Sequence, residues 1–157
     1  MESSLSFAVW VEGLSLPRAI GESMWSIATL SAIHLLGFTL SLGSALVLNA
    51  RLAGAMLSGV PVGVLAKPVG CGIATGLVIS IASGVLLASW KLSMVLPGAI
   101  FQVKMVLLGA AALLHFVWLR PCLRSAPESP ALKAPALASL ALWLGLGVAG
   151  CAFILFE

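Results

Sequence analysis

The sequence predicts an all-α integral membrane protein: an antiparallel four-helix bundle preceded by a short N-terminal interfacial amphipathic helix. Three observations carry this. The 157 residues are 61% hydrophobic and 8% charged, far from the roughly 25% charged composition of a soluble domain. Four apolar stretches reach the about 20 residues that a membrane helix needs. The segments between them are short, which makes successive spans antiparallel neighbours. A single transmembrane domain, residues 1–157, accounts for the whole length, with no room for a soluble catalytic domain beside it.

The N-terminal residues contain Phe7, Trp10, Val11 and Leu14 at the spacing of one helical face. They predict a surface helix over about 4–13, capped by Ser3 or Ser4 and ended by Gly13, that anchors or roofs the bundle. Glu2 and Glu12 fall here, with no lysine or arginine before Arg18, so the segment lacks the basic start of a cleavable signal and is expected to be retained. The spans follow over about 22–50, 68–90, 98–119 and 136–156. Gly59, Pro61 and Gly63 mark the first gap. The second, Lys91 to Pro97, is short enough to predict a tight hairpin of spans two and three. The third, Arg120 to Pro135, contains Pro121, Pro127, Pro130 and Pro135 and predicts an extended linker.

Charge sets the direction. Arg51, Lys67, Arg120, Arg124 and Lys133 occupy the first and third gaps, whereas Arg18 and Lys91 are the basic residues of the other side. The positive-inside rule then places both termini on the periplasmic side of a bacterial inner membrane. Trp10, Trp25 and Trp90 fall near the outer boundary and Trp118 near the inner one. The net charge of +3 is explained by this topology and calls for no nucleic-acid partner. The expected partners are the lipid bilayer and other membrane subunits or further copies of the chain.

Small residues let membrane helices approach one another. Gly72, Gly76, Ser80 and Gly84 form such a ridge on the second span; it suits helix packing, and it would also suit a flat cofactor. The fourth span, with Gly145, Gly147 and Gly150, is expected to be a structural wall. Cys71 and Cys151 are expected in helix packing, while Cys122, among basic residues, is open to lipidation or oxidation. None of the three lies in a CxxC or zinc spacing.

An ionisable side chain within a span asks for a reason. His34 shares a helix face with Gly37, Ser41 and Ser44. Lys104 and His115 share a face of the third span, about 16 Å apart along it. Imidazole is a common ligand for metals and for haem iron, which makes His34 and His115 the candidate metal ligands. Their depths differ, however. His34 lies 17 residues from Arg51 and His115 five from Arg120, a mismatch of about 18 Å, so one haem between both is disfavoured. Lys104 and its neighbour Met105 match the depth of His34. His115 lies nearer Arg51, Lys67 and Arg120, which could hold haem propionates or anionic lipid. Plainer readings stand beside these: Lys104 snorkelling to water, His115 as a boundary residue, and His34 in an interhelical hydrogen bond to Ser80 or Ser83.

No aspartate occurs and no glutamate falls within a span, unlike ion-driven transporters with carboxylate relays. There is no HExxH and no phosphate-binding glycine loop. The chain is not expected to be an enzyme on its own.

Glu22-Ser23-Met24-Trp25, His34-Leu35-Leu36-Gly37, Gly43-Ser44 and Asn49-Ala50-Arg51-Leu52-Ala53-Gly54, with Phe101 to Leu108 in the third span, resemble an uncharacterised bacterial family of small four-helix membrane proteins. More loosely, they resemble the copper-resistance D-type proteins and the membrane protoporphyrinogen oxidases. The likeness covers about a third of the chain. Where that pattern has an acidic residue three before the histidine and an aspartate two before the arginine, this chain has Ser31 and Asn49. The resemblance implies a four-helix antiparallel bundle with haem b at His34.

Three functions follow as expectations. The first is a haem b-binding or electron-transfer bundle, serving as a membrane subunit of a larger oxidoreductase, with His34, His115, Lys104, Met105 and Arg51 as cofactor-binding residues. The second is a non-catalytic assembly subunit. The third is a copper or other metal-ion conduit.

Overall fold

The computed structural model describes residues 2–126 and 129–156. Its helices are α1 (Glu2–Glu12), α2 (Ser15–Glu22), α3 (Met24–Ala53), α4 (Val62–Ser89), α5 (Leu92–Val95), α6 (Ala99–Leu113), α7 (Arg120–Ser125) and α8 (Lys133–Phe156). A π-helical segment, Leu114–Leu119, joins α6 to α7, and a short 3-10 turn, Pro130–Leu132, precedes α8. Among the described residues the protein is entirely helical. Four helices are long and apolar enough to cross a membrane: Met24–Ala53, Val62–Ser89, Ala99–Ser125 and Pro130–Phe153.

Each boundary has a local cause. Ser23 breaks the chain between α2 and α3, and its hydroxyl accepts from the Ser26 N–H at 3.2 Å, capping α3. Gly54, at φ 80°, closes α3 in the left-handed conformation that glycine adopts without penalty. The Arg51 Nε donates to the Val60 carbonyl at 2.7 Å and ties the following loop back to α3. Gly13 ends α1, donating to the Val9 and Trp10 carbonyls.

Side-chain pairs fix the directions. His34 meets Ser80 and Ser41 meets Ile73, so α3 and α4 run oppositely. Asn49 meets Ser139 and Leu42 lies over Gly147, which makes α8 antiparallel to α3. Leu107 against Gly145 and Lys104 against Phe153 make α6 antiparallel to α8. The close-packed neighbours are α3 with α4, α3 with α8 and α6 with α8. The tight hairpin expected of spans two and three does not form: α4 and α6 are joined through α5 but are not close-packed along their lengths. Instead α4 meets the far end of the third span, at α7.

The ridge Gly72, Gly76, Ser80 and Gly84 is filled by α3. A Cβ on Gly37 would lie 2.8 Å from the Ser80 nitrogen, and one on Gly84 2.9 Å from the His34 ring. Helix packing occupies this face, which leaves no place on it for a flat cofactor. The apolar core, including Ala45, Leu48, Ile73, Ala111, Leu119, Trp143 and Leu146, lies toward the end of the bundle that carries Arg51, Lys67 and Arg120.

Three further expectations need correction. The span boundaries shift: α4 begins at Val62 and contains Pro68, and α8 begins at Lys133. A proline in the first two turns of α4 removes one hydrogen bond near an end where the amide ladder is still being established. The linker over Arg120 to Pro135 is largely helical: Pro130 opens the 3-10 turn, where no amide donor is needed, whereas Pro121 lies within the continuous helix Ala99–Ser125, just past the π segment, and costs it one hydrogen bond; Pro127 and Glu128 lie outside the described residues. Cys71 and Cys151 are exposed on the outer surface of the bundle rather than packed between helices.

At the N-terminus, α1 starts before Ser3 and Ser4, so neither is its cap. Phe7, Trp10 and Leu14 are exposed, with Phe7 and Trp10 rings 6.0 Å apart, while Ala8 is buried. The apolar face therefore points away from the bundle. The Glu12 Oε1 accepts from the Ser93 N–H at 2.6 Å, holding α1 over α5 as a roof on the α4–α6 connection.

Candidate functional site

His34 points into the bundle. Its Nδ1 lies 2.8 Å from the Ser80 carbonyl oxygen of α4 and 3.4 Å from the hydroxyls of Ser80 and Ser83. The Ser83 hydroxyl itself donates to the Ile79 carbonyl at 2.7 Å. A carbonyl only accepts, so this geometry assigns the proton to Nδ1 and leaves Nε2 with a bare lone pair. That lone pair faces Lys104 of α6, whose Nζ stands 3.4 Å away as a donor.

The reason for this arrangement is local. Gly84 leaves the space for the imidazole, and Gly37 and Gly76 bring α3 and α4 close enough for the ring to reach a backbone carbonyl. The Lys104 ammonium also rests over the Phe153 ring at 5.8 Å, and Lys91 approaches the same ring at 5.7 Å and Trp90 at 5.5 Å. An aromatic face attracts a cation through its quadrupole, so α8 supplies a soft wall between two ammonium groups.

His34 and Lys104 are thus the candidate residues brought together. His34 presents nitrogen with the orientation of a metal-binding imidazole, in which Nδ1–H is held by a carbonyl. At 3.4 Å the Lys104 Nζ and the His34 Nε2 engage each other in a hydrogen bond. Both groups are nitrogen donors, and α4 and α6 are not close-packed along their lengths.

The other candidates lie elsewhere. Met105 is 39% exposed. Arg51 is engaged with the loop carbonyl of Val60. His115 is 1% exposed and sits in the π segment, edge-on to Phe116 with ring centroids 4.8 Å apart. Among the described residues no group of three or more His, Cys, Asp or Glu side chains comes together, so a copper conduit has no ligand cluster to follow. Two open concavities occur, one beside Trp25, Thr29 and Leu86 and one beside Trp118, Cys122 and Pro135; neither is lined by His34 or His115.

Sequence reasoning passed over Lys91 and Phe153 as parts of this end of the bundle, and over Asn49, Ser139 and Trp143 as buried polar groups. The spacing of Ser139 and Trp143, four residues apart on an apolar helix, was a readable signal of one polar stripe.

Residues 7–156 match the family model described as Family of unknown function (DUF6644), and the chain belongs to that family. No curated protein and no solved structure matches it.

Proposed function

We propose that this family member is an integral protein of a bacterial inner membrane that holds haem b between His34 and Lys104 and carries electrons as the membrane subunit of a larger oxidoreductase complex. The observation that carries the reading is the inward His34, with Nδ1 hydrogen-bonded to the Ser80 carbonyl and Nε2 facing the Lys104 amine at 3.4 Å.

The membrane assignment draws on the bundle's outer surface. Leu36, Val78, Val106 and Val148, one from each span, are each about 70% exposed, which lipid tolerates and water does not. Arg51, Lys67, Arg120, Arg124 and Lys133 lie toward one end, and the positive-inside rule supports a cytoplasmic assignment for that end and a periplasmic one for both termini. When bound, haem iron supplies one-electron transfer. The chain supplies the rest: the Ser80 carbonyl orients the imidazole, Gly84 leaves it room, Lys104 offers the second nitrogen, and Phe153 shields that amine from water.

Protein purified after haem-supplemented expression is expected to show a Soret band that disappears in His34→Ala. A colourless wild-type preparation rejects haem binding. A second reading, a non-catalytic assembly subunit, is favoured by the packing of the His34 ring against Gly84. It predicts a stoichiometric membrane partner retained by His34→Ala.

A further inference from the structure

At the basic end of the bundle a concavity of about 430 Å³ opens between α7 and the start of α8. Trp118, Cys122 and Ser125 line it from the third span, and Ser129, Ala131 and Leu132 from the approach to the fourth. The first three follow the i, i+4, i+7 spacing of one helical stripe. Leu119 and Leu123, each one residue further on, are buried in the core. This stretch of helix therefore packs with one face and leaves the next unfilled. Leu132 is 4% exposed and belongs to the core, whereas Trp118 is 60% exposed. The lining is thus mainly apolar, deep on one side and open on the other.

Charge gives a second, independent pointer. Arg124 adjoins Ser125 and Lys133 adjoins Leu132 in the chain, and both basic residues are exposed. Among the described residues neither side chain is held in a hydrogen bond or ion pair. Their long stems can follow an apolar wall while the charged heads stay at its edge. Over residues 120–135 the sequence sets Arg120, Arg124 and Lys133 against one acidic residue, Glu128. The Ser129 hydroxyl accepts from the Ala131 N–H at 3.4 Å and keeps its own proton to donate.

We propose that this concavity binds one anionic phospholipid of the inner leaflet. The upper part of an acyl chain lies against Trp118, Cys122 and Leu132, and the phosphate meets Arg124, Lys133 and the Ser129 hydroxyl. The volume falls within the roughly 300–1,000 Å³ of small-molecule sites. Basic pockets between spans on the cytoplasmic side suit anionic head groups. A zwitterionic lipid brings its own cation, which Arg124 and Lys133 repel, so the site selects for net negative charge. A free anion lacks the acyl chain and gains only a contact that salt screens. The inference rests on the membrane reading above, and it uses no residue of the His34–Lys104 site.

Native mass spectrometry of the full chain in detergent, titrated with phosphatidylglycerol or with phosphatidylcholine of the same chains, tests this. The wild type is expected to retain one phosphatidylglycerol at about 10- to 30-fold higher affinity than phosphatidylcholine, the worth of two basic groups beside anionic lipid. The double variant Arg124→Gln, Lys133→Gln is expected to lose that preference, and Lys67→Gln, on α4 at the same end, to keep it. Ala131→Trp fills the apolar wall with the charges intact and is expected to weaken both lipids; should it not fold, the double variant decides. Equal affinity of the wild type for the two lipids, a preference retained in the double variant, or the same thermal stabilisation from inorganic phosphate as from phosphatidylglycerol overturns the proposal. Failure of the wild type to enter bilayer nanodiscs rejects the membrane reading itself, a result distinct from a chain that inserts without lipid preference.

Discussion

Gly76→Leu is expected to abolish the folded bundle, and Gly76→Ala to destabilise it by about 3 kcal/mol, the upper part of the range for overpacking. A Cβ at position 76 would stand 2.6 Å from the Ser41 nitrogen. That neighbour is backbone, which cannot rotate aside, so α3 and α4 must separate. Separation breaks the Ser41 hydroxyl's bond to the Ile73 carbonyl, 3.2 Å long, and the His34 bond to the Ser80 carbonyl. It thereby removes the site together with the fold. Native stabilities of about 5–15 kcal/mol leave little reserve for such a loss. Gly109 is the control, because nothing lies within 4 Å of a Cβ built there. Gly109→Ala is expected to be neutral or to stabilise by up to about 1 kcal/mol through helix propensity. Thermal unfolding followed by size-exclusion chromatography in detergent separates the two outcomes.

On the proposed haem reading, Lys104→Leu removes one of the two nitrogen donors and is expected to lower haem affinity by at least about 10- to 100-fold, the loss that follows even when only a supporting group at a metal site is removed. With haem bound as proposed, His34 would remain as its protein ligand, and a five-coordinate spectrum would replace a six-coordinate one. The bundle itself should persist, since among the described residues the contacts of the Lys104 amine are the His34 Nε2 and the Phe153 ring. Lys104→Met restores a second ligand of a recognised kind and is expected to recover the six-coordinate spectrum at a higher potential. Titration of haem into the apoprotein, followed in the visible region, gives both affinity and coordination. Equal affinity in Lys104→Leu and wild type would remove Lys104 from the site.

The four spans were legible because apolar runs of this length have few alternatives, and the depth match of His34 with Lys104 followed from counting residues to the basic ends. Their contact at 3.4 Å is what that counting implies when both helices are straight to this level. Ser80 was legible as a neighbour of His34, though its role is played by the backbone carbonyl as well as the hydroxyl. The helix termini were less legible. Pro68, Pro121 and Pro135 read as breaks, yet each sits where a helix is starting or can lose one bond. The second helix, Ser15–Glu22, was hidden because its Pro17 and Gly21 resemble loop composition. Nothing in the residue pattern announces the π segment at His115, whose extra residue is absorbed by backbone geometry. Asn49 read as a missing aspartate, whereas its amide makes the cross-link to Ser139.

The orientation of His34 is the foundation of the functional account, and its tautomer reports that orientation directly. A 15N spectrum of histidine-labelled apoprotein in nanodiscs, with His34 assigned by comparison with His34→Gln, is predicted to show a protonated Nδ1 and a bare Nε2. The opposite tautomer, with Nε2 protonated and Nδ1 bare, would contradict the bond to the Ser80 carbonyl and with it the ligand role of His34.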